Sequence, residues 1–243
     1  MAYQFESRVR YSETDMKQKL SLVALADYFQ DCSTFQSESL GRGIQYLKER
    51  QRVWVILSWQ IEILRRPDLG EKILVRTWPH EFRAFYGHRN FALLDEQENY
   101  LAKANSVWVL LDTETGRPVK PDPEHISMYG MEPPLDMEYS SRKVQVTGEG
   151  IRKNSFSVCR HHLDSNNHVN NGQYIYMAEE YLPSDFEVKK LKVEYRRQAH
   201  LHDVIVPVVY RNENEITVSL CDEEEKPYAI VCFAQGTGSF AGK

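Results

Sequence analysis

The sequence predicts an α+β protein made of two similar units in tandem. Three observations support this prediction: an internal repeat, an apolar pattern of helical period early in each copy, and a series of strand-like segments after each helix. Of the 243 residues, 42% are hydrophobic, which is enough to bury a core in each unit without disulfides or a metal.

The repeat aligns residues 9–28 with residues 158–177 and brings Asp15 opposite Asp164. In both copies a strand-like run leads to the aspartate, then to a short polar loop, then to apolar residues at helical spacing. A helix with this pattern must bury its apolar stripe. The stripes contain Leu22, Leu25, Ala26, Phe29 and Cys32 in the first copy, and Tyr174, Met177, Ala178 and Tyr181 in the second.

Strand-rich segments with an Arg-Arg pair follow each helix, and the pair at 65–66 is aligned with the pair at 196–197. The first copy also has an additional segment, GIQYLKER, which predicts a short helix. Acidic clusters at 95–98 and 222–225 predict hairpin loops, because charged residues favour a solvated turn over a strand ladder. Each half is therefore expected to form one long helix with antiparallel strands that curl around it.

A proline-rich segment, RPVKPDPEHISMYGMEPPLD, separates the copies and predicts a linker without regular elements. The predicted division is an N-terminal unit over residues 1–117, a linker over 118–148 and a C-terminal unit over 149–243. Two similar units in one chain are expected to pack about an approximate twofold axis. Exposed sheet edges leave a homodimer open as an alternative.

Composition excludes several classes of function. The 30 basic and 35 acidic residues give a net charge of -5, so nucleic-acid binding is not expected. No stretch approaches about 18 apolar residues, and the charged N-terminus fits neither a signal nor a transit peptide. Without C-x-x-C spacing, the cysteines are expected to be reduced, buried thiols of a cytoplasmic protein: Cys32, Cys159, Cys221 and Cys232.

The polar loops before the two helices differ in chemistry. The second contains Asp164, Asn166 and His168 at alternating positions, whereas the first contains Lys17 and Lys19. Lysine is a cation at neutral pH and a poor base, while histidine exchanges protons near neutral pH. Only the second loop is therefore expected to perform acid–base chemistry, with its three polar side chains projecting to one side of an extended loop.

A helix start is predicted directly after this loop. Asn170 followed by Gln173 resembles a capping box, which places the first helical residue near Asn171. Amides at a helix N-terminus are free donors at a positive dipole end, and this suits a developing oxyanion. Val169, Asn170 and Asn171 are the candidates for that role, and capping is the alternative role for the two asparagines.

The segment LDSNNHVNNGQY resembles the signature of the acyl-acyl carrier protein (ACP) thioesterases, a double hotdog family of plants and bacteria. RPDLGEKILVRTWP, YGHRNFALLD, NSVWVLLDTETGRPVKP and VEYRRQA also resemble family segments, in the family's order. The resemblance implies a tandem hotdog fold, each unit an antiparallel sheet wrapped around a long central helix. It also implies a bacterial-type enzyme that hydrolyses fatty acyl-ACP to free fatty acid and ACP.

Carried over by position, the resemblance makes Asp164, Asn166 and His168 catalytic. Plant members have Glu and Cys where this chain has Gln198 and Ala199. Gln198 can orient water by hydrogen bonds as a further catalytic residue, but it cannot accept the proton. Two mechanisms stay open: His168, supported by Asp164, activates a water, or Asp164 attacks the thioester directly.

The implied partner is ACP carrying a phosphopantetheine-linked acyl chain, with no cofactor. Metal binding is not expected, because the histidine pairs 161–162 and 200–202 lack Cys or acidic partners at supporting spacing. The rival functions are an acyl-CoA thioesterase with the same site and a non-catalytic acyl-binding hotdog protein. The candidate contacts for an acidic carrier are basic clusters whose alternative role is that of solvated strand ends: Arg65, Arg66, Lys189, Lys190, Arg196 and Arg197.

Overall fold

The structure is a computed structural model that describes residues 2–236. The chain divides into two compact units. The first comprises Met1–Leu57 and Ile63–Tyr139, and the second comprises Ser58–Glu62 and Ser140–Lys243. The division between the two units falls inside the segment predicted as a linker, after Tyr139.

The first unit is an antiparallel sheet with helices. Its strand order is β1-β3-β4-β5-β2, and β3 pairs antiparallel with both β1 and β4, as β4 does with β5. The acidic cluster at 95–98 lies in a hairpin turn as predicted, since residues 95–99 join β4 to β5. The elements are β1 Tyr3–Arg8, α1 Leu22–Ser39, α2 Ile44–Glu49, β2 Arg52–Ile63, β3 Lys72–Arg83, β4 Tyr86–Leu94, β5 Tyr100–Asp112 and α3 Pro123–Ser127.

Helix α1 forms the core of the first unit, where it packs against β1 and β3. It is 18 residues long and begins after Ser21, whose hydroxyl accepts a hydrogen bond from the Ala24 N–H at 3.1 Å. The ring of Phe29 is fully buried and lies 5.3 Å from the ring of Phe91 on β4. The predicted apolar stripe is confirmed, since all its members are buried: Leu22, Leu25, Ala26, Phe29 and Cys32.

The second unit contains residues Ser58–Glu62 of β2 and then, in strand order, β8-β11-β10-β9-β6, with β7 pairing β9. Every pairing is antiparallel. The elements are β6 Ile151–Arg152, β7 Phe156–Ser157, a short 3-10 helix Arg160–His162, α4 Asn171–Glu179, β8 Lys190–Tyr195, β9 Val204–Arg211, β10 Glu215–Cys221 and β11 Pro227–Ala234.

Helix α4 packs against β10 and β11 but has only nine residues, so the long second helix predicted from the sequence is not observed. Tyr174, Met177 and Ala178 are buried as predicted, whereas Tyr181 lies beyond the helix end and is half-buried. The nearby Pro183 accounts for the early end, because the residue before a proline disfavours helical geometry.

The proline-rich segment contains a regular element, so the prediction of an irregular linker was wrong. Helix α3 starts with Pro123, and the Asp122 side chain accepts a hydrogen bond from the Glu124 N–H at 3.0 Å. Proline is tolerated in the first helical turn, because the N–H that it lacks would have no partner there.

Three of the four cysteines are buried, and Cys159 is exposed, which corrects the prediction for that residue. Cys159 directly precedes the 3-10 helix, where the chain runs along the surface. Burial raises the pKa of Cys32 to about 12, so this thiol stays protonated.

Among residues 2–236, none of the helices has the length and apolar character needed to cross a membrane.

We expect Phe29→Ala to lower the free energy of unfolding by about 3–5 kcal/mol, because it leaves a cavity in a close-packed core. The matched control is Phe35→Ala on the same helix, where the side chain is 43% exposed and the expected loss is about 1 kcal/mol or less. Urea unfolding measures both. Equal losses would contradict the assigned core.

Candidate active site

The loop that precedes α4 is closed by Asp164. The Asp164 N–H donates to the His168 carbonyl at 2.8 Å, and Asp164 Oδ1 accepts from the N–H groups of Asn166 at 2.8 Å and His168 at 3.3 Å. Asn167 takes a left-handed φ of 61°, which asparagine tolerates well. The loop is therefore a compact turn closed by an aspartate side chain, not the extended segment expected from the alternating residues.

The side chains of Asp164 and Asn166 are in direct contact, whereas the described ring contact of His168 is with His200. Asn166 is exposed, and its Nδ2 donates to Asp164 Oδ2 at 3.4 Å. His168 is half-buried, and its described contact with Asp164 runs through the backbone amide. The His168 ring packs against the His200 ring, with centroids 4.8 Å apart and planes at 71°. No local pattern in the sequence predicts this contact between His168 and His200.

The start of α4 confirms capping by Asn170 and corrects two of the three predicted oxyanion donors, Val169 and Asn170. Asn170 Oδ1 accepts a hydrogen bond from the Gly172 N–H at 2.8 Å. The N–H of Val169 donates to the Ala199 carbonyl at 2.9 Å, and the N–H of Asn170 donates to the His162 carbonyl at 2.9 Å. Both amides are engaged because the loop folds back on its neighbours, so neither is free to bind an oxyanion.

Gln198 lies in an exposed segment after β8, which ends at Tyr195, so it is not a strand residue. The next residue anchors this segment. The Ala199 N–H donates to the Tyr174 hydroxyl of α4 at 3.0 Å, while the Ala199 carbonyl accepts from Val169. Burial raises the pKa of Tyr174 to about 12, so the hydroxyl stays neutral at this anchor.

The loop before α1 has the same backbone hydrogen bonds. The Asp15 N–H donates to the Lys19 carbonyl at 2.8 Å, and Asp15 Oδ1 accepts from the N–H groups of Lys17 at 2.8 Å and Lys19 at 3.0 Å. Gln18 takes the left-handed position, with a φ of 59°. The internal repeat therefore extends to individual hydrogen bonds.

Hydrogen bonds also show which residues beside the two loops are equivalent. The N–H of Leu20 donates to the Pro67 carbonyl at 2.9 Å, and the N–H of Val169 donates to the Ala199 carbonyl at the same distance. Leu20 and Val169 hold the same position in their loops. Pro67 is thus the counterpart of Ala199.

It follows that Arg66 is the counterpart of Gln198, and the predicted alignment of the Arg-Arg pairs was wrong by one residue. Arg65 and Arg197 are the true counterparts, since each donates its N–H to a carbonyl of the neighbouring strand at 3.1 Å. Two adjacent arginines can be aligned with another such pair in two registers, and only the strand pairing shows which register is correct.

Two ion pairs bind the first loop to its neighbouring segment. Arg66 contacts Asp15 at 2.6 Å, and Lys19 contacts Asp68 at 2.6 Å. Burial acts to raise the pKa of Asp15, but the Lys19 amide and the Arg66 guanidinium outweigh it and hold that pKa below its ordinary value.

The second loop lacks the equivalents of both ion pairs. Gln198 stands where the first unit has Arg66, and His200 stands where it has Asp68. Asp164 therefore has no arginine at the corresponding position. The contact between His168 and His200 replaces an ammonium–carboxylate pair with two imidazoles.

The basic residues predicted to contact a carrier protein all lie near acidic side chains. Lys190 is only 5% exposed, which leaves it little surface for a protein partner. The pairs are Arg65 with Glu71, Arg66 with Asp15, Lys189 with Glu187, Lys190 with Glu62, Arg196 with Glu194 and Arg197 with Asp222.

Within residues 2–236, no group of three or more His, Cys, Asp or Glu side chains is arranged to hold a metal ion.

Two family models match the chain. The model described as the acyl-ACP thioesterase N-terminal domain matches residues 1–129, and the one described as the C-terminal domain matches residues 147–227. The chain belongs to the acyl-ACP thioesterase family. The chloroplastic acyl-[acyl-carrier-protein] hydrolase FATB3 of Cuphea viscosissima is 30% identical over 218 residues, which are 82% of this chain and 52% of the relative. This chain spans about half the length of the plant relatives that it matches.

Solved structures share the fold of this acyl-ACP thioesterase family member. An acyl-ACP thioesterase from Bacteroides thetaiotaomicron superposes with a TM-score of 0.88 at 22% identity, covering 96% of this chain and 97% of the other. The 12:0-ACP thioesterase from Umbellularia californica superposes with a TM-score of 0.81 at 19% identity, covering 96% of each chain. At these identities the likeness concerns the fold.

We expect Asp15→Asn to make the stability of the protein less dependent on pH. The lowered pKa of Asp15 means that its ionised form stabilises the folded state above the ordinary value of 3.8, and that this stabilisation is lost as the pH falls through the folded-state pKa. The stability difference between wild type and variant should therefore be larger at pH 7 than at pH 3, as measured by urea unfolding. The control is Asp136→Asn, at an exposed position. A difference that grows on acidification would contradict the assignment.

Proposed function

We propose that this protein hydrolyses fatty acyl-ACP to free fatty acid and ACP, with the loop 164–168 as its active site. The observation that carries the proposal is the contrast between the two loops. Both have the same backbone, but the second has His168 in place of a lysine and lacks the equivalents of both ion pairs. Membership of the acyl-ACP thioesterase family supports the reaction class.

We also propose that each unit is a hotdog, with a sheet that wraps around α1 in the first unit and around the shorter α4 in the second. The N-terminal hotdog covers residues 1–117, residues 118–148 connect the two, and residues 149–243 form the catalytic hotdog, of which 237–243 lie outside the described residues. The packing of α1 on β1 and β3, and of α4 on β10 and β11, supports this arrangement.

In the proposed reaction, His168 removes a proton from a water molecule as the water oxygen attacks the thioester carbonyl carbon. The tetrahedral intermediate then breaks its C–S bond, and the protonated imidazole returns the proton to the departing thiolate. The products are the fatty acid and the thiol of the carrier. Histidine suits both steps because it exchanges protons near neutral pH.

Asp164 has a positioning role in this mechanism. Its Oδ1 already accepts two backbone hydrogen bonds, which hold the loop and leave that oxygen poorly placed for direct attack. Asp15 makes the same contacts in a loop that contains no base, which supports a structural role for both aspartates. The Asp164 charge, without an arginine partner, also favours the imidazolium that forms on His168.

Asn166 and Gln198 supply neutral hydrogen-bonding groups. Asn166 is held against Asp164 and orients the attacking water. Gln198 donates from its carboxamide to the oxyanion, a role that the engaged amides of Val169 and Asn170 leave open. The positive end of α4, which begins at Asn171, adds to the stabilisation of that charge.

The partner in this proposal is ACP with a phosphopantetheine-linked acyl chain, and the enzyme uses no cofactor. Arg196 and Arg197 are the proposed carrier contacts, since their side chains are 41% and 42% exposed and lie beside Gln198 in the sequence. Their acidic neighbours weaken the local positive potential, so steering of the carrier is expected to be modest.

We propose a cytoplasmic location, which the free cysteines support.

Thiol release from acyl-ACP and from acyl-CoA of the same chain length tests the proposal. We expect faster hydrolysis of acyl-ACP, and a loss of about 10²- to 10⁴-fold in kcat for His168→Ala, because the variant lacks the proton acceptor. Asp164→Asn keeps an oxygen acceptor for the loop, so its loss should be smaller, about 10-fold. Lys19→Ala, in the first loop, is the matched control and should retain wild-type kcat.

Each alternative mechanism or function predicts a different result in these assays. Wild-type activity in His168→Ala would remove this loop from the mechanism. A folded Asp164→Asn variant as inactive as His168→Ala would support direct attack by the carboxylate. Faster turnover of acyl-CoA would indicate the CoA-specific enzyme, and acyl binding without turnover would indicate a non-catalytic protein.

A further inference from the structure

We propose that His200 is a positioning residue for His168, whose ring it holds in the orientation that hydrolysis requires. This inference rests on the proposed function. The observation behind it is the direct contact of the two rings, with centroids 4.8 Å apart and planes at 71°. That is the edge-to-face geometry that aromatic pairs prefer.

The His168 ring needs a partner of this kind. Rotation about the terminal side-chain torsion of histidine is broad, so a general base is usually oriented by a further group. Asp164 does not do this in the structure, because its described hydrogen bond with His168 runs to the backbone amide. The ring contact with His200 supplies the missing orientation.

His200 is itself well anchored, although its side chain is exposed. Its N–H donates to Asp203 Oδ2 at 2.8 Å, and its carbonyl accepts from the Asp203 N–H at 3.1 Å. The preceding Ala199 is fixed to Tyr174 and Val169. The backbone that carries the His200 ring is therefore tied to both the catalytic loop and α4.

The first unit shows that this position serves to clamp the loop. There the corresponding residues, Lys19 and Asp68, form an ion pair at 2.6 Å. In the second unit two imidazoles keep the contact without a fixed negative charge. In addition to the Asp164 charge, a second carboxylate at position 200 would hold the proton on His168 too firmly for its return to the leaving thiolate.

The test uses steady-state hydrolysis of acyl-ACP by the full-length protein. We expect His200→Ala to lower kcat by about 2- to 10-fold with little change in KM, since the ring contact is modest in strength. His200→Phe keeps an aromatic ring and should restore most of kcat. In a His168→Ala background, His200→Ala should cause no further loss, because it acts through the missing ring. The matched control, His202→Asn, alters an exposed histidine with a φ of 72° and should have no effect.

Unfolding curves for each variant establish that the fold is intact. Unchanged kcat in His200→Ala, failure of His200→Phe to restore kcat, or an undiminished effect in the His168→Ala background would each overturn the role of His200. If His168→Ala lowers kcat while His200→Ala does not, the proposed function stands and this inference fails. If His168→Ala retains full activity, or if the wild type does not hydrolyse acyl-ACP, both fail.

Discussion

Closure of the helix-entry loop by an aspartate side chain is the interaction on which the proposed site depends. Asp164 accepts hydrogen bonds from the backbone amides of Asn166 and His168, and these bonds fix where the side chains of the loop emerge. Asp15 closes the first loop in the same way, so the aspartate belongs to the architecture of both units. The chemistry depends on which residues are attached to that shared turn, not on the turn alone.

The two loops show how a structural clamp and the proposed active site can share one backbone. Ion pairs of partly exposed side chains contribute only about 0–1 kcal/mol each, so replacing them costs little stability. Replacing these ion pairs changes the chemistry of the loop much more than it changes the stability of the protein. A lysine paired with Asp68 cannot act as a base, whereas a histidine in contact with His200 can exchange a proton. Gln198, at the position of Arg66, leaves the Asp164 charge without an arginine partner.

Features with a local signal were predictable from the sequence, and features set by strand register were not. The apolar stripe of α1 and the helix start after Asn170 follow from periodicity and capping chemistry, and both are observed. The contact between His168 and His200 depends on how the segment after β8 pairs with the loop, which no local pattern reveals. Its place at a helix N-terminus predicts a free amide for Val169, but the carbonyl that this amide binds belongs to Ala199, which is distant in sequence.

The most direct test of the central claim is to restore, beside the second loop, the charged residues that pair with the first loop. The double variant Gln198→Arg/His200→Asp places there the residues that the first unit has at 66 and 68. If loss of the two ion pairs allows catalysis, the variant should fold with near wild-type stability and lose about 10²-fold or more in kcat for acyl-ACP. The converse double variant in the first unit, Arg66→Gln/Asp68→His, should keep wild-type kcat. A folded Gln198→Arg/His200→Asp variant with undiminished kcat would contradict the account.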